Sequence, residues 1–570
     1  MNTISLFSNL KKDISRSLVL DMAIVVGLVL VAWLAFYVTP EFAANLPQDG
    51  GDFAVPAVNL LERGRLVDTA YGHEFPPMHP PGMSLLLVPA YLLFGHALGN
   101  GIYPLLACAL AAIVLTYVIG RKLAGRLCGS LAALFLITHY GFWQYSQKIM
   151  SEVPSVFLAM AVLALLLPIR KQKRPGLVCL AAGCLLGFAV TVRYDNFLLL
   201  APAVLLLAWE GAWRERIWRV GLCLAGLAPF IIGLAVYDQV TFGSPWRTGY
   251  RYWGGGVDAR LPSFSIENVT QAGVMRRHGI TTRVGGIIEG NGVFYAKSLL
   301  SESDTSRIFG HPLYWQLPGR SIYQTLVLLR TALGVMGLLV CVAAWQTHPW
   351  RRQFLLWLAG TAAVYLGFYL LYWWQEERYF MRVVPAFCLA NAIGATILLN
   401  TCSAKGARTL VAILVGALIA AFAFYNWQMG FPSGNDLHAY ETLTQAARQM
   451  ESNAVVVSNF EPLRVDAYLI RGTDRIAVPL TPRSALAMFV GNDTTPTLLR
   501  PFVASEDPER LRELIRSGKP AYWLIDDPWS GQPTAALTTL QQLFRLQVLA
   551  TANVNGGGEQ PYFGRIYNLP

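Results

Sequence analysis

A polytopic α-helical membrane protein carrying a small soluble α/β domain at its C-terminal end is the fold class this sequence predicts. Three observations predict it. Of 570 residues, 54% are hydrophobic and only 14% charged, against roughly 25% charged in a soluble domain. Apolar runs of about twenty residues, the length that crosses a bilayer, recur between Val19 and Met429. Beyond Met429 those runs stop, and residues 431–570 turn to ordinary soluble composition. The mean hydropathy is +0.42.

The first run, Val19 to Val38, follows Lys11, Lys12 and Arg16. It exceeds the roughly 7–15 residues of a signal-peptide core, so it predicts an uncleaved anchor, although "FAA" at Phe42 to Ala44 leaves cleavage open. Lys and Arg in short loops mark the cytoplasmic side. Basic clusters lie at Lys11–Arg16, Arg121–Arg126, Arg170–Arg174, Trp213–Arg219, Arg351–Arg352 and Lys405–Arg408. Eleven candidate spans place all of them on one side: 19–39, 101–120, 127–147, 153–169, 176–192, 196–210, 220–238, 322–346, 354–374, 383–400 and 409–429. The N-terminus is then cytoplasmic and the C-terminal domain extracytoplasmic. One further run, Met83 to Gly95, is too short to span and reads as a helix lying at the outer surface. The net charge of +11 becomes a topology signal, and nucleic acid is not implied. All eight cysteines lie in spans or at their cytoplasmic ends, where they read as small buried apolar residues.

With this threading the outer connections are 40–100, 148–152, 193–195, 239–321, 375–382 and 430–570. The first carries Asp52, Glu62, Arg63, Arg65, Asp68, His73, Glu74 and His79; the second, Lys148 and Glu152. The third is little more than "RYDN" (Arg193 to Asn196), and the fifth is "QEERYFMR" (Gln375 to Arg382). Any one of these reads plainly as a solvated helix end. Their repetition on one side predicts a shared polar cavity at the outer membrane surface. The spans themselves hold little charge: Asp21, Glu210 and Asp238 all sit near span ends. A transporter that binds coupling ions at the bilayer midplane would carry more there. Within the first connection, "FPPMHPPG" (Phe75 to Gly82) has four prolines that forbid helix through Pro81 and hold the chain extended, so His79 is presented by a stiff segment.

Together with "GGDFAVPAVNLLERGRL" from Gly50, this stretch resembles the GT-C superfamily of membrane glycosyltransferases. The likeness is to bacterial relatives of the dolichyl-phosphate-mannose protein mannosyltransferases and the lipid A aminoarabinose transferases. The matching residues are Asp52, Ala57, Leu60 or Leu61, Gly64, Leu66 and His79–Gly82. Further down the chain "SEVPSVFLAMAVLALLL" (from Ser151), "TVRYDNFLLL" (from Thr191, with Tyr194 where the family has proline), "FGSPWRTGY" (Phe242 to Tyr250) and "ERYFMRVVPA" (from Glu377) are similar to family motifs. The resemblance covers roughly residues 20–430.

It implies transfer of a sugar, hexosyl or pentosyl, from a polyprenyl-phosphate carrier to a glycan, lipid or protein hydroxyl, with inversion, at a bacterial inner membrane. Neither a nucleotide sugar nor a soluble cofactor is required. Asp52 is the expected general base and Glu152 the second catalytic carboxylate. Arg378, Arg193 and, one turn on, Arg382 are expected on the donor phosphate, where guanidinium forks suit phosphate oxygens. His79, Glu74, Asp195, Tyr250 and Trp253 are expected to position the acceptor, with Asp195 equally readable as the partner of Arg193, and Tyr250 and Trp253 equally readable as anchors of their loop at the membrane interface. Asp52 and His79, with Glu74, could instead ligate a divalent metal. A lipid or sugar flippase with a soluble cap, a non-catalytic membrane scaffold and an enzyme using a diphosphate-linked donor stay open as alternatives.

The tail reads as a small α/β accessory domain. "NAVVVSN" (Asn453 to Asn459), "AYWLID" (Ala521 to Asp526) and "FRLQVLATA" (from Phe544) read as strands, "PLRVDAYLI" (from Pro462) and "PERLRELIRSG" (from Pro508) as helices, and "NGGGEQ" at Asn555 as a turn.

Overall fold

The computed structural model describes residues 3–37, 48–70, 73–167, 169, 173–209, 211–252, 265–277, 284–301, 320–372, 376–429, 445–459, 465–480, 503–524, 538, 540–553 and 559–569. In each of the eleven apolar runs most of the described residues are helical. In chain order the elements are α1 (Thr3–Phe36), α2 (Gln48–Arg63), the short strands β1 (Asp68–Ala70) and β2 (His73–Phe75), and α3 (Pro81–Phe94). Then come α4 (Ile102–Ile137), α5 (Tyr140–Tyr145), α6 (Glu152–Leu166), α7 (Pro175–Val192), α8 (Leu200–Trp209) and α9 (Trp213–Phe242). They continue with α10 (Val284–Ser301), α11 (Arg320–Ala343), α12 (Pro349–Tyr369), α13 (Val384–Thr401) and α14 (Lys405–Met429). The tail adds β3 (Val455–Ser458), β4 (Ile476–Pro479), α15 (Pro508–Arg516), β5 (Ala521–Leu524), β6 (Phe544–Asn553) and β7 (Glu559–Asn568).

Among the described residues, seven helices are long and apolar enough to cross a membrane, and the chain is a multi-pass membrane protein. α4 holds two of the predicted spans. It bends at Ala124 and Gly125, and Gly125 sits at φ 90°, a left-handed conformation that costs a residue without Cβ nothing. The second of those spans does not run straight to 147. It breaks at Thr138–His139, and His139 Nδ1 accepts the Phe142 N–H to start α5. α3 is 14 residues long, about 21 Å at 1.5 Å per residue, well short of a bilayer's roughly 30 Å core. It buries Met83, Leu87 and Tyr91 on one side and exposes Leu85, Leu92 and Leu93 on the other. The extended proline stretch ends one residue earlier than expected. Pro80 is extended (φ −64°, ψ 153°) and Pro81 already opens the helix, because the first helical position needs no N–H donor.

The chain packs as two units. The first comprises 1–38, 103–233 and 280–431, the second 39–102, 234–279 and 432–570. In the first, helices meet on glycines, as membrane helices do when side-chain bulk must not keep backbones apart. A Cβ on Gly337 of α11 would stand 2.0 Å from the Ala390 carbonyl oxygen of α13, and one on Gly394 of α13 2.0 Å from that of Leu333. Gly183 of α7 lies equally close to Cys223 of α9. The side chains facing outward, such as Leu34 and Leu339, are apolar.

In the second unit α2 packs on α3, β1 pairs antiparallel with β2, and the tail forms a five-stranded sheet in the order β4-β3-β5-β7-β6. β3 runs parallel to β4 and β5, whereas β7 runs antiparallel to β5 and β6. Alternate residues of the sheet feed two apolar layers. Val456, Tyr522, Leu524 and Phe563 face one, and Val455, Val457, Trp523 and Ile566 the other. Phe75, from the hairpin of the first connection, packs against the first layer. α15 buries Leu511 and is capped by Asp507, which accepts the Arg510 N–H. The segment read as the helix "PLRVDAYLI" is, in its described part, a single π turn at Asp466–Ile470; β4 and β7 were not anticipated.

Two candidate functional sites

Asp52 lies in the first half of α2, and its residue exposure is only 7%. His79 is carried to it by the extended "PPMHPP" stretch, with Nε2 3.6 Å from Asp52 Oδ2. Phe53, the next residue of α2, stacks beside the imidazole at 4.6 Å between ring centres. On the other nitrogen, Tyr250 Oη lies 3.3 Å from His79 Nδ1. Tyr250 gets there because the 243–250 loop lies directly on the proline stretch. A Cβ on Gly249 would be 2.2 Å from the Pro77 carbonyl oxygen, so the approach requires glycine. Three residues expected on separate grounds thus meet around one imidazole. A Tyr–His–carboxylate row of this kind can accept a proton at the carboxylate and hold the ring orientation fixed.

The second group lies in the first unit, where three connections converge. Glu152 opens α6 with no exposed side-chain surface, and its Oε1 is 2.6 Å from Arg193 Nη1 and 3.6 Å from Arg378 Nε. Its Oε2 has no hydrogen-bond partner among the described residues. Arg193 follows the end of α7. It also donates to Asp195 Oδ1 at 3.0 Å and lies over the Tyr379 ring. Burial, with Tyr372 and Glu376 nearby, pushes the Tyr379 phenol well above its usual 10, so the ring that Arg193 faces stays neutral. Arg378 pairs with Glu376 and keeps 14% of its side chain exposed.

Arg382 is wholly enclosed. Its Nη2 reaches Asp195 Oδ1 at 2.8 Å, its Nε reaches Asn196 Oδ1 at 3.1 Å, and its Nη1 reaches the Tyr379 carbonyl at 3.3 Å. Asp195 therefore bridges Arg193 and Arg382 and also accepts from the Tyr369 hydroxyl. Asn196 completes the brace by donating to Ser155 Oγ and the Ala189 carbonyl. From α10, Asn291 donates to the carbonyls of Tyr369, Leu370 and Tyr372 and closes the end of α12.

Glu74 is not placed with Asp52 or His79. From β2 it forms exposed ion pairs with Arg63, the last residue of α2, and with Arg65 just beyond it. Trp253 lies outside the described residues. Among the described residues no group of three or more His, Cys, Asp or Glu side chains is placed to hold a metal, so the Asp52–His79 pair stands without a third ligand of that kind. Sequence reasoning missed Asn196, Asn291, Tyr369 and Tyr365, whose ring centre lies 5.5 Å from the Arg382 guanidinium. Asn196 was visible inside "RYDN"; the tyrosines sit in an apolar span, where nothing separates them from packing residues.

Residues 78–237 match the family model for dolichyl-phosphate-mannose-protein mannosyltransferase. No curated protein sequence matches. Among solved structures, ArnT from Cupriavidus metallidurans bound to undecaprenyl phosphate superposes with a TM-score of 0.55 at 13% identity, covering 97% of this chain and 98% of that one. Its apo state gives 0.56 at 14% over the same shares. The Archaeoglobus fulgidus oligosaccharyltransferase AglB, in complex with an inhibitory peptide and a dolichol-phosphate, gives 0.51 at 13% identity, over 89% of this chain and 69% of that one. The fold is that of the GT-C membrane glycosyltransferases, which bears out the resemblance and the membrane fold class read from the sequence.

Proposed function

We propose that the protein is an inverting glycosyltransferase that moves a sugar from a polyprenyl-phosphate carrier to an acceptor hydroxyl on the extracytoplasmic side of a bacterial inner membrane. The observation that carries the reading is the buried Asp52 carboxylate held beside His79 and Tyr250, in a chain with the fold of enzymes solved with undecaprenyl phosphate and dolichol-phosphate. In this reading Asp52 takes the proton of the acceptor hydroxyl as its oxygen attacks the anomeric carbon. The bond from that carbon to the phosphate oxygen breaks with inversion, and the electron pair leaves on polyprenyl phosphate.

Arg193 and Arg378 supply the charge that stabilises the departing phosphate. Glu152 holds both guanidinium groups at one place. Arg382, enclosed by Asp195 and Asn196, serves as a positioning residue. Residues 431–570 form the accessory domain. Glycan, lipid and protein acceptors, and hexosyl and pentosyl donors, all remain within the reading.

The test is release of polyprenyl phosphate by purified protein offered polyprenyl-phosphate sugars and a crude envelope acceptor. Release by the wild type that falls by at least about a hundredfold in Asp52→Asn, with the detergent-solubilised fold intact, is the expected result. Equal release by both removes Asp52 from the chemistry. No release from mono- or diphosphate-linked donors would make a lipid-linked sugar transporter the better reading.

A further inference from the structure

Far from both carboxylate groups in sequence, the bend of α4 gathers an unusual amount of positive charge. Arg121, Lys122 and Arg126 flank Ala124–Gly125, where the helix breaks. The first turn of α12 brings Trp350, Arg351 and Arg352 to the same place: Lys122 Nζ lies 5.5 Å above the Trp350 ring, and Arg351 Nε donates to the Leu123 carbonyl. α1 contributes one carboxylate. Asp21, 6% exposed, accepts from Tyr117 Oη at 2.8 Å and Arg126 Nε at 2.8 Å, and pairs with Arg121 Nη2 at 2.6 Å. Cations from two helices thus gather at this bend, and two of them, Arg121 and Arg126, pair with one buried carboxylate.

Sidedness alone asks only that loops be basic. It does not ask that two connections converge, that an aromatic ring sit under an ammonium, or that a carboxylate stand near the start of the apolar stretch of α1 to order two arginines. Arg121 and Arg126 keep 43% and 36% of their side chains exposed although Asp21 holds one edge of each. The depth is that of a headgroup, because the apolar stretch of α1 begins at Leu18. Beside Asp21 the surface of α1 is bare hydrocarbon: Leu18, Val19, Leu20 and Met22 are each at least half exposed. A phosphodiester with acyl chains matches this pairing of a forked cationic cluster and an adjoining apolar face. Free phosphate would use only the first half of it.

We propose that the α4 bend and the start of α12 form a binding site for an anionic phospholipid of the leaflet that faces the basic loops, with Arg121, Lys122, Arg126 and Arg351 on the headgroup phosphate and Trp350 at its edge. The site is distinct from the two carboxylate groups above and does not depend on the proposed reaction.

The experiment is native mass spectrometry of the full chain, reconstituted in nanodiscs of mixed phosphatidylglycerol and phosphatidylcholine and released under mild conditions. The wild type should retain phosphatidylglycerol over phosphatidylcholine, and 10 mM inorganic phosphate should not displace it (the concentration is of order ten millimolar, chosen to exceed weak phosphate affinities). The double variant Lys122→Gln/Arg351→Gln should lose that preference at least about tenfold, at roughly a kcal/mol per basic residue near the surface. Lys405→Gln/Arg408→Gln, which removes two cations from the start of α14, should keep it. Equal retention of the two lipids by the wild type overturns the site, and so does an equal loss in both variants, which would mean diffuse charge. Displacement by inorganic phosphate overturns the lipid assignment. The wild-type comparison decides the matter even where a variant does not fold.

Discussion

Arg378 and Arg382 lie one helical turn apart in the same motif, yet their surroundings give them different work. Arg382 has no exposed side-chain surface and spends its donors on Asp195, Asn196 and the Tyr379 carbonyl. Arg378 keeps part of its guanidinium exposed, and its carboxylate partners Glu376 and Glu152 are groups that an incoming phosphate can rival. Removing one partner of a buried pair leaves the other's charge uncompensated, at about 3–5 kcal/mol. Arg382→Gln should therefore lower the melting temperature of the detergent-solubilised protein by several degrees. Arg378→Gln should move it far less while cutting polyprenyl-phosphate release about 10²–10³-fold, the usual cost of losing a group that stabilises developing charge. Differential scanning fluorimetry beside the release assay separates the two. An equal thermal loss in both variants would return Arg378 to a purely structural role.

At the scale of elements, the close approach of the 243–250 loop to the proline stretch decides where Tyr250 sits. Gly249→Ala would force a Cβ to within 2.2 Å of the Pro77 oxygen, so the loop must lift and Tyr250 must leave His79. Tyr250→Phe removes only the hydroxyl. Both variants should lower turnover, Gly249→Ala by at least as much as Tyr250→Phe, and rates measured side by side check this; a fully active Gly249→Ala would detach the loop from the chemistry. Such contacts also mark what the sequence could reveal. The spans were legible because lipid demands about twenty apolar residues, and the threading read from the basic loops put Glu152, Arg193 and Arg378 in connections whose side chains the structure brings together. β3, β5 and β6 were legible as short apolar or β-branched runs. β7 was not, because Pro561 and Gly564 interrupt any β-branched run there, whereas Gly564 is there to admit the Trp523 ring, which stands 2.1 Å from where its Cβ would be. The partners within the site were hidden for a similar reason. Which carboxylate takes which arginine depends on side chains such as Tyr369, which reaches Asp195 from a helix distant in sequence.

For the molecule as a whole, the second unit joins stretches far apart in sequence, and its ion pairs show how that union should respond to pH. Glu62, at the end of the helix that bears Asp52, pairs with Arg471 of the tail and accepts from His96. Burial works against its charge, but the hydrogen bond and charge of Arg471, with help from His96, hold its carboxyl below the usual value of 4.5. Glu451 is treated alike: burial opposes its ionisation, and the Tyr522 hydroxyl and the Arg565 and Arg475 charges outweigh it. A carboxyl whose folded pKa is depressed contributes stability that is present above the unfolded value and is lost as the pH falls through the folded one. Acidification from about pH 5 to below 4 should therefore loosen the tail from α2 while neutral conditions leave it unaffected. Because Glu62 and Glu451 are both partly solvated, the effect of either alone is small. Hydrogen exchange at the amides of α2 and β3 measures it: protection should fall on acidification in the wild type and fall less steeply in Glu62→Gln/Glu451→Gln, which begins from a lower level at pH 7. A double variant whose protection falls as steeply as the wild type's would show that other carboxylates set the acid limit, and that the Glu62–Arg471 pair does not tie the tail to the helix of Asp52.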